Sequence, residues 1–123
     1  MKRLFILIMI SAFAIGSVKA QTANELLGKW KLVKWTKKGK EKDIVKENKT
    51  DQVFQVFSEK NVFNSVIGDK EHKGKWKLSK DNKMLTIRWG IFTVDFRIDY
   101  FDAKRRVITA DQLGTLEYEK VDQ

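Results

Sequence analysis

The chain has no cysteine and a single histidine, His72, among its 123 residues. Without cysteine there can be no disulfide, no thiolate ligand for a metal and no lipid-modified N-terminal cysteine, so an apolar core must hold the fold alone. With one imidazole, any Ser-His-Asp arrangement would depend on His72, which stands among Lys70, Glu71 and Lys73 beside a turn and reads as an exposed histidine. No second histidine and no clustered acidic loop supply metal ligands, and no glycine-rich loop is suited to cradling a phosphate. The residues therefore lead to the expectation of a non-enzymatic protein with no catalytic residue, no metal and no cofactor. Long hydrophobic runs are also missing after Gly16.

The one long apolar run lies at the start. Met1-Lys2-Arg3 is a basic segment, Leu4 to Gly16 is nearly all apolar, and Val18-Lys19-Ala20 has the small residues of a cleavage site, which together read as a secretory signal peptide over residues 1–20. The run is shorter than the roughly 20 residues of a membrane span. The expectation is an exported protein, periplasmic or secreted, soluble, not transmembrane and not lipid-anchored. Cleavage after Ala20 leaves residues 21–123, enough for one domain. A monomer is expected.

The formal net charge is +9, of which Lys2, Arg3 and Lys19 belong to the leader. Nine lysines against Glu41, Asp43 and Glu47 fall between Lys29 and Lys49, so the basic character is concentrated in one strand and the connection after it. That patch is either a solvated face or a surface for an anionic envelope layer or an acidic protein, with Lys37, Lys38, Lys40 and Lys42 as its basic loop. Lysine and tryptophan interleave in residues 29–38 as they would on a single-stranded nucleic-acid platform. Export and an inward-facing Trp30 argue against nucleic acid.

Gly28-Lys29-Trp30-Lys31-Leu32 is echoed by Gly74-Lys75-Trp76-Lys77-Leu78. Each copy is expected at the head of a strand, its glycine allowing a sharp turn or a close approach, Trp and Leu on one face and the lysines on the other. Eight strands follow from alternation and turn spacing: residues 29–36, 52–57, 62–67, 71–78, 84–89, 91–101, 106–110 and 115–121. In the first, Trp30 and Leu32 lie on one face and Val33 and Trp35 on the other, which predicts an irregularity near Lys34. Residues 36–50 read as a long exposed connection with a short helical turn, and Thr22 or Asn24 as the cap of a helical turn before the first strand. Phe92, Val94, Phe96, Ile98 and Tyr100 alternate with Thr93, Asp95, Arg97 and Asp99, giving one core face and one wet face. Asp95 and Asp99 are about 13 Å apart along a strand, too far for a glycosidase pair, and with Arg97 between them form an exposed charge ladder. Short turns make the eight strands an antiparallel meander, most economically closed into a barrel that leaves no edge.

A Gly-x-Trp opening the first strand after a short helical turn, together with Gly74-Lys75-Trp76-Lys77-Leu78 and the closing Leu116-Glu117-Tyr118-Glu119-Lys120-Val121, resembles the lipocalin-like domain proteins of bacterial envelopes. The resemblance spans residues 26–121. It implies an all-β fold, an eight-stranded antiparallel up-and-down barrel with a short N-terminal helical turn. It also implies that Gly28 and Trp30 help close one end and that Trp30 packs near a basic side chain of the last strand, for which Lys120 stands where an arginine is usual. The expected activity is binding of a small apolar or amphipathic molecule, lined by some of Trp76, Leu85, Ile87, Trp89, Val94, Phe96, Ile98 and Tyr100. The alternative is a filled barrel acting as an interaction or inhibitor module through the basic 36–50 loop.

Overall fold

The structure, a computed structural model, describes residues 23–121; the expected leader, the cap expected at Thr22 and the last two residues of the domain lie outside the described residues. After a helical turn over residues 23–26 come β1 (Gly28–Lys37), β2 (Lys40–Glu41), α1 (Ile44–Asn48), β3 (Val53–Ser58), β4 (Val62–Ile67) and β5 (Lys70–Leu78). Then follow β6 (Met84–Trp89), β7 (Phe92–Phe101), β8 (Arg105–Ala110) and β9 (Gly114–Val121). From β3 to β9 each strand pairs antiparallel with the next, and β1 pairs on one side with β3 and on the other with β9, from Lys29↔Val121 to Thr36↔Thr115. The eight long strands are a closed up-and-down antiparallel β-barrel.

Closure divides the molecule into two ends. The lower end gathers the starts of β1, β4, β6 and β8 and the preceding helical turn; the upper end gathers the ends of those strands, with β2 and α1. Period-two alternation fills the interior with Trp30, Phe57, Phe63, Trp76, Leu85, Ile87, Phe96, Ile108 and Tyr118, all buried. The turns carry the residues that left-handed backbone requires. Lys60 and Asn61 both take positive φ (63° and 60°) in the short connection between Ser58 and Val62, and Gly90 (61°) opens the two-residue turn from β6 into β7.

Two bulges change which residues face in. In β1 the register with β9 shifts between Leu32 and Lys34, so Val33 is extruded and exposed while Trp35, opposite Leu116, returns to the inner face. This is the irregularity that apolar residues on both faces predict. In β7 a second shift between Ile98 and Tyr100 sends Tyr100 outward, 45% exposed, and turns Phe101 inward against Trp30 at 6.0 Å between ring centroids. The strict alternation expected for β7 therefore ends at Ile98. Phe92, expected on the core face, is 57% exposed at the strand's upper tip.

The two Gly-x-Trp copies use glycine differently. Gly28 opens β1 at φ +125°, and a Cβ there would come within 2.8 Å of the Lys120 side chain. Gly74 lies inside β5, not at its head, and a Cβ there would fall 2.2 Å from the carbonyl oxygen of Arg88. The first copy makes room for a side chain and the second for a neighbouring backbone. The 36–50 connection is more ordered than expected. β2 folds back on β1 through Thr36↔Glu41 and Lys37↔Lys40, Asp43 caps α1 by accepting from the Lys46 amide at 3.1 Å, and Ile44 packs against the core.

The barrel interior and its buried arginine as the candidate site

Trp30 is fully buried above the lower end, its indole donating to the Leu26 carbonyl at 2.8 Å. That bond ties β1 to the helical turn, whose Leu26 is also buried. Lys120, from β9, lies with its ammonium 4.7 Å from the Trp30 ring centroid and donates to the Glu25 carbonyl at 2.6 Å. Gly28, Trp30 and Lys120 are thus neighbours at one end of the barrel. Burial lowers the Lys120 pKa, and the charge of Arg106 adds to that direction against the opposing influence of Glu25.

Arg106 is the residue that sequence reasoning missed. It lies at the start of β8, opposite Tyr118 of β9 and Phe101 of β7, and is 1% exposed. Its guanidinium carbon lies 4.4 Å from the Tyr118 ring centroid, 4.9 Å from Trp30 and 5.0 Å from Phe57. A guanidinium among three ring faces gains cation–π attraction from each. One nitrogen, Nη2, donates to Gln55 Oε1 at 2.6 Å; Nε and Nη1 have no partner among the described residues. Burial pushes its pKa down to about 10 and that of Tyr118 up to about 12, so at neutral pH Arg106 is a cation and Tyr118 a neutral phenol. The signal was present in the phase of β8, because Arg106 shares a face with Ile108 and Ala110. Composition alone suggested an exposed residue.

Of the residues expected to line a ligand, Trp76, Leu85, Ile87, Val94 and Phe96 are buried on the inner wall. They adjoin one another through the pairs Trp76↔Ile87, Ile87↔Val94 and Leu85↔Phe96. Trp76 is anchored by its indole, which donates to the Ser58 carbonyl at 3.1 Å, and by an edge-on contact with Phe57 at 5.8 Å. Trp89 and Ile98 are partly buried against the same core, whereas Tyr100 is removed from it by the β7 bulge.

The basic residues divide in a similar way. Lys38 and Lys40 are exposed and Lys37 half-buried in the β1–β2 hairpin. Lys42 is engaged, 3.5 Å from the Glu47 carboxylate and above the Trp35 ring. The charge ladder expected on β7 is replaced by separate pairs: Arg97 binds Asp99 at 2.7 Å, and Asp95 accepts from the Thr86 hydroxyl at 2.7 Å. His72 is exposed in β5 beside a depression of about 400 Å³ between α1 and the β4–β5 turn. Among the described residues no group of three or more acidic, histidine or cysteine side chains is arranged to hold a metal ion, and no helix is long and apolar enough to cross a membrane.

The class defined by these observations is a closed eight-stranded antiparallel barrel with a buried cation in an aromatic interior. No protein-family model, curated protein or solved structure matches the chain.

Proposed function

We propose that this protein is a lipocalin-like carrier for a small amphipathic molecule with an acidic head group. The observation that carries the reading is Arg106, a fully buried guanidinium with two unpartnered nitrogens and no carboxylate beside it among the described residues. Buried cations are normally paired, because an unpaired one forfeits hydration that the interior does not return. A ligand carboxylate would accept from Nε or from Nη1, each of which forms a two-point contact together with the N–H of Nη2 that Gln55 does not take. The apolar remainder of the ligand would lie against Trp76, Leu85, Ile87, Val94 and Phe96. The helical turn, Leu26 and Trp30 support a closed lower end, leaving the upper end for entry.

The test compares medium-chain fatty acids with the matching alcohols by titration against the intrinsic tryptophan fluorescence. Charge-assisted hydrogen bonds contribute roughly 1.5–3 kcal/mol, so the acid should bind at least about tenfold more tightly. Arg106→Met should erase that preference. Equal affinity for acid and alcohol, or no binding of either, would overturn the reading. Native mass spectrometry of detergent-free protein, with a denatured aliquot as reference, should show a carried mass that is lost on denaturation.

A further inference from the structure

The upper end carries apolar side chains that the fold does not use. Ile91 is 92% exposed, the β6–β7 turn places it beside Phe92, and Trp89 stacks against Phe92 at 5.8 Å. The hairpin bearing them outreaches its neighbour: the β7–β8 pairing reaches no farther up than Arg97↔Thr109, while β6 and β7 remain paired to Trp89↔Phe92. The tip therefore projects beyond the β8 side of the wall. On the same end, α1 presents Val45, 52% exposed. Ile91, Phe92 and Trp89 adjoin one another at one tip and are not scattered singly, which is the arrangement of exposed apolar side chains that marks an interaction site.

The charge at this end indicates which partner. Lys38 and Lys40 on the β1–β2 hairpin, Lys46 and Lys49 on and after α1, and Lys70 at the start of β5 are all exposed, and none makes an ion pair among the described residues. Of the acids at this end, Glu47 is held by Lys42, Asp51 by Lys31, Glu71 by Asn64 and Asp43 by the Lys46 amide, while Glu41, Asp69 and Asp111 are exposed at the same end, so the cations that meet a partner are those of the β1–β2 hairpin and α1 taken together. Two apolar residues at a hairpin tip are too small for a stable protein interface, which takes about 800 Å² from each partner. They suit an interface that needs only a few side chains dipped among head groups while surrounding cations meet phosphates. Packing tip to tip with a second copy would bring these lysines against one another.

We propose that the upper end of the barrel docks on an anionic lipid bilayer, with Ile91 and Phe92 entering the head-group layer and the hairpin and α1 lysines meeting lipid phosphates. This surface is distinct from the interior, and its test does not depend on an interior ligand.

The experiment is flotation of the full chain with vesicles of phosphatidylcholine alone or mixed with phosphatidylglycerol. Binding should require the anionic lipid and weaken as salt is raised. The double variant Ile91→Asp/Phe92→Asp and the double variant Lys38→Glu/Lys40→Glu should each lower binding by about tenfold or more. Both alter exposed positions, and an unchanged thermal midpoint confirms the fold. Because the chain has no cysteine, Ile91→Cys carrying an environment-sensitive dye gives a single-site readout. Its emission should shift to the blue on anionic vesicles and return on adding salt. Failure to float with anionic vesicles, undiminished flotation of the tip variant, or an unshifted dye would each overturn the proposal. Retention on an acidic polymer without lipid binding would reassign the surface to an acidic macromolecule.

Discussion

Arg106 and Gln55 form a buried pair in which neither residue is well served alone. Gln55→Leu removes the one hydrogen bond that the buried Arg106 guanidinium makes among the described residues and should destabilise the fold by about 2–4 kcal/mol. The double variant Gln55→Leu/Arg106→Met removes the charge as well and should lie above that single variant, near wild type or more stable. Urea unfolding of the set measures the order. A double variant less stable than Gln55→Leu would mean that the three ring contacts outweigh the burial of the charge. Trp30→Ala, which empties the lower end and frees the Leu26 carbonyl, should lose about 3–5 kcal/mol. Trp30 was legible because glycine, tryptophan and leucine recur at one spacing in two places. Arg106 was not, because its inward position is set by the phase of β8 against Tyr118 and Phe101.

At the scale of the element, the β7–β8 turn is a carboxylate device. Asp102 accepts from the Tyr100 hydroxyl at 2.6 Å and from the Lys104 and Arg105 amides, each at 2.8 Å. Those bonds, the tyrosine hydroxyl foremost, hold its carboxyl below the 3.8 of an ordinary aspartate. Because the folded state favours the ionised carboxylate, its contribution is complete above the unfolded pKa and is lost as pH falls through the lower, folded one. Asp102→Asn should therefore have a lower thermal midpoint than wild type at pH 6, and the gap should close as pH falls below 3.8. A gap that is constant with pH would assign the turn to its backbone alone. The same turn explains why one bulge was legible and the other was not. In β1, Trp30 and Leu32 conflict in phase with Val33 and Trp35, so the sequence itself demands a break. In β7, Ile98, Tyr100 and Phe101 are all apolar or aromatic, and either phase satisfies the pattern until Asp102 draws Tyr100 outward.

At the scale of the molecule, the meander was legible because each hairpin is written in a few adjacent residues. Closure was inferred from the absence of anything else to cover an edge, since no local pattern marks β1 as the partner of β9. That seam has a kinetic consequence. Seven of the long-strand pairings join neighbours in the chain of long strands, but the β1–β9 seam joins Lys29 to Val121, so the loop-closure entropy of nearly the whole domain must be overcome before that ladder forms. All-β domains dominated by such pairing fold in about milliseconds to seconds. The chain also has no proline and no cysteine, so neither prolyl isomerisation, which takes tens to hundreds of seconds, nor disulfide exchange can add a slower step. Refolding by dilution from urea, followed by tryptophan fluorescence, should show one exponential in the millisecond-to-second range and no phase of minutes. Tyr118→Ala, which removes the cross-strand partner of Leu32 within the seam, should then distinguish when closure occurs. Slower folding with little change in unfolding would place the β1–β9 seam in the transition state, whereas faster unfolding at an unchanged folding rate would mean that the meander forms first and the barrel closes last.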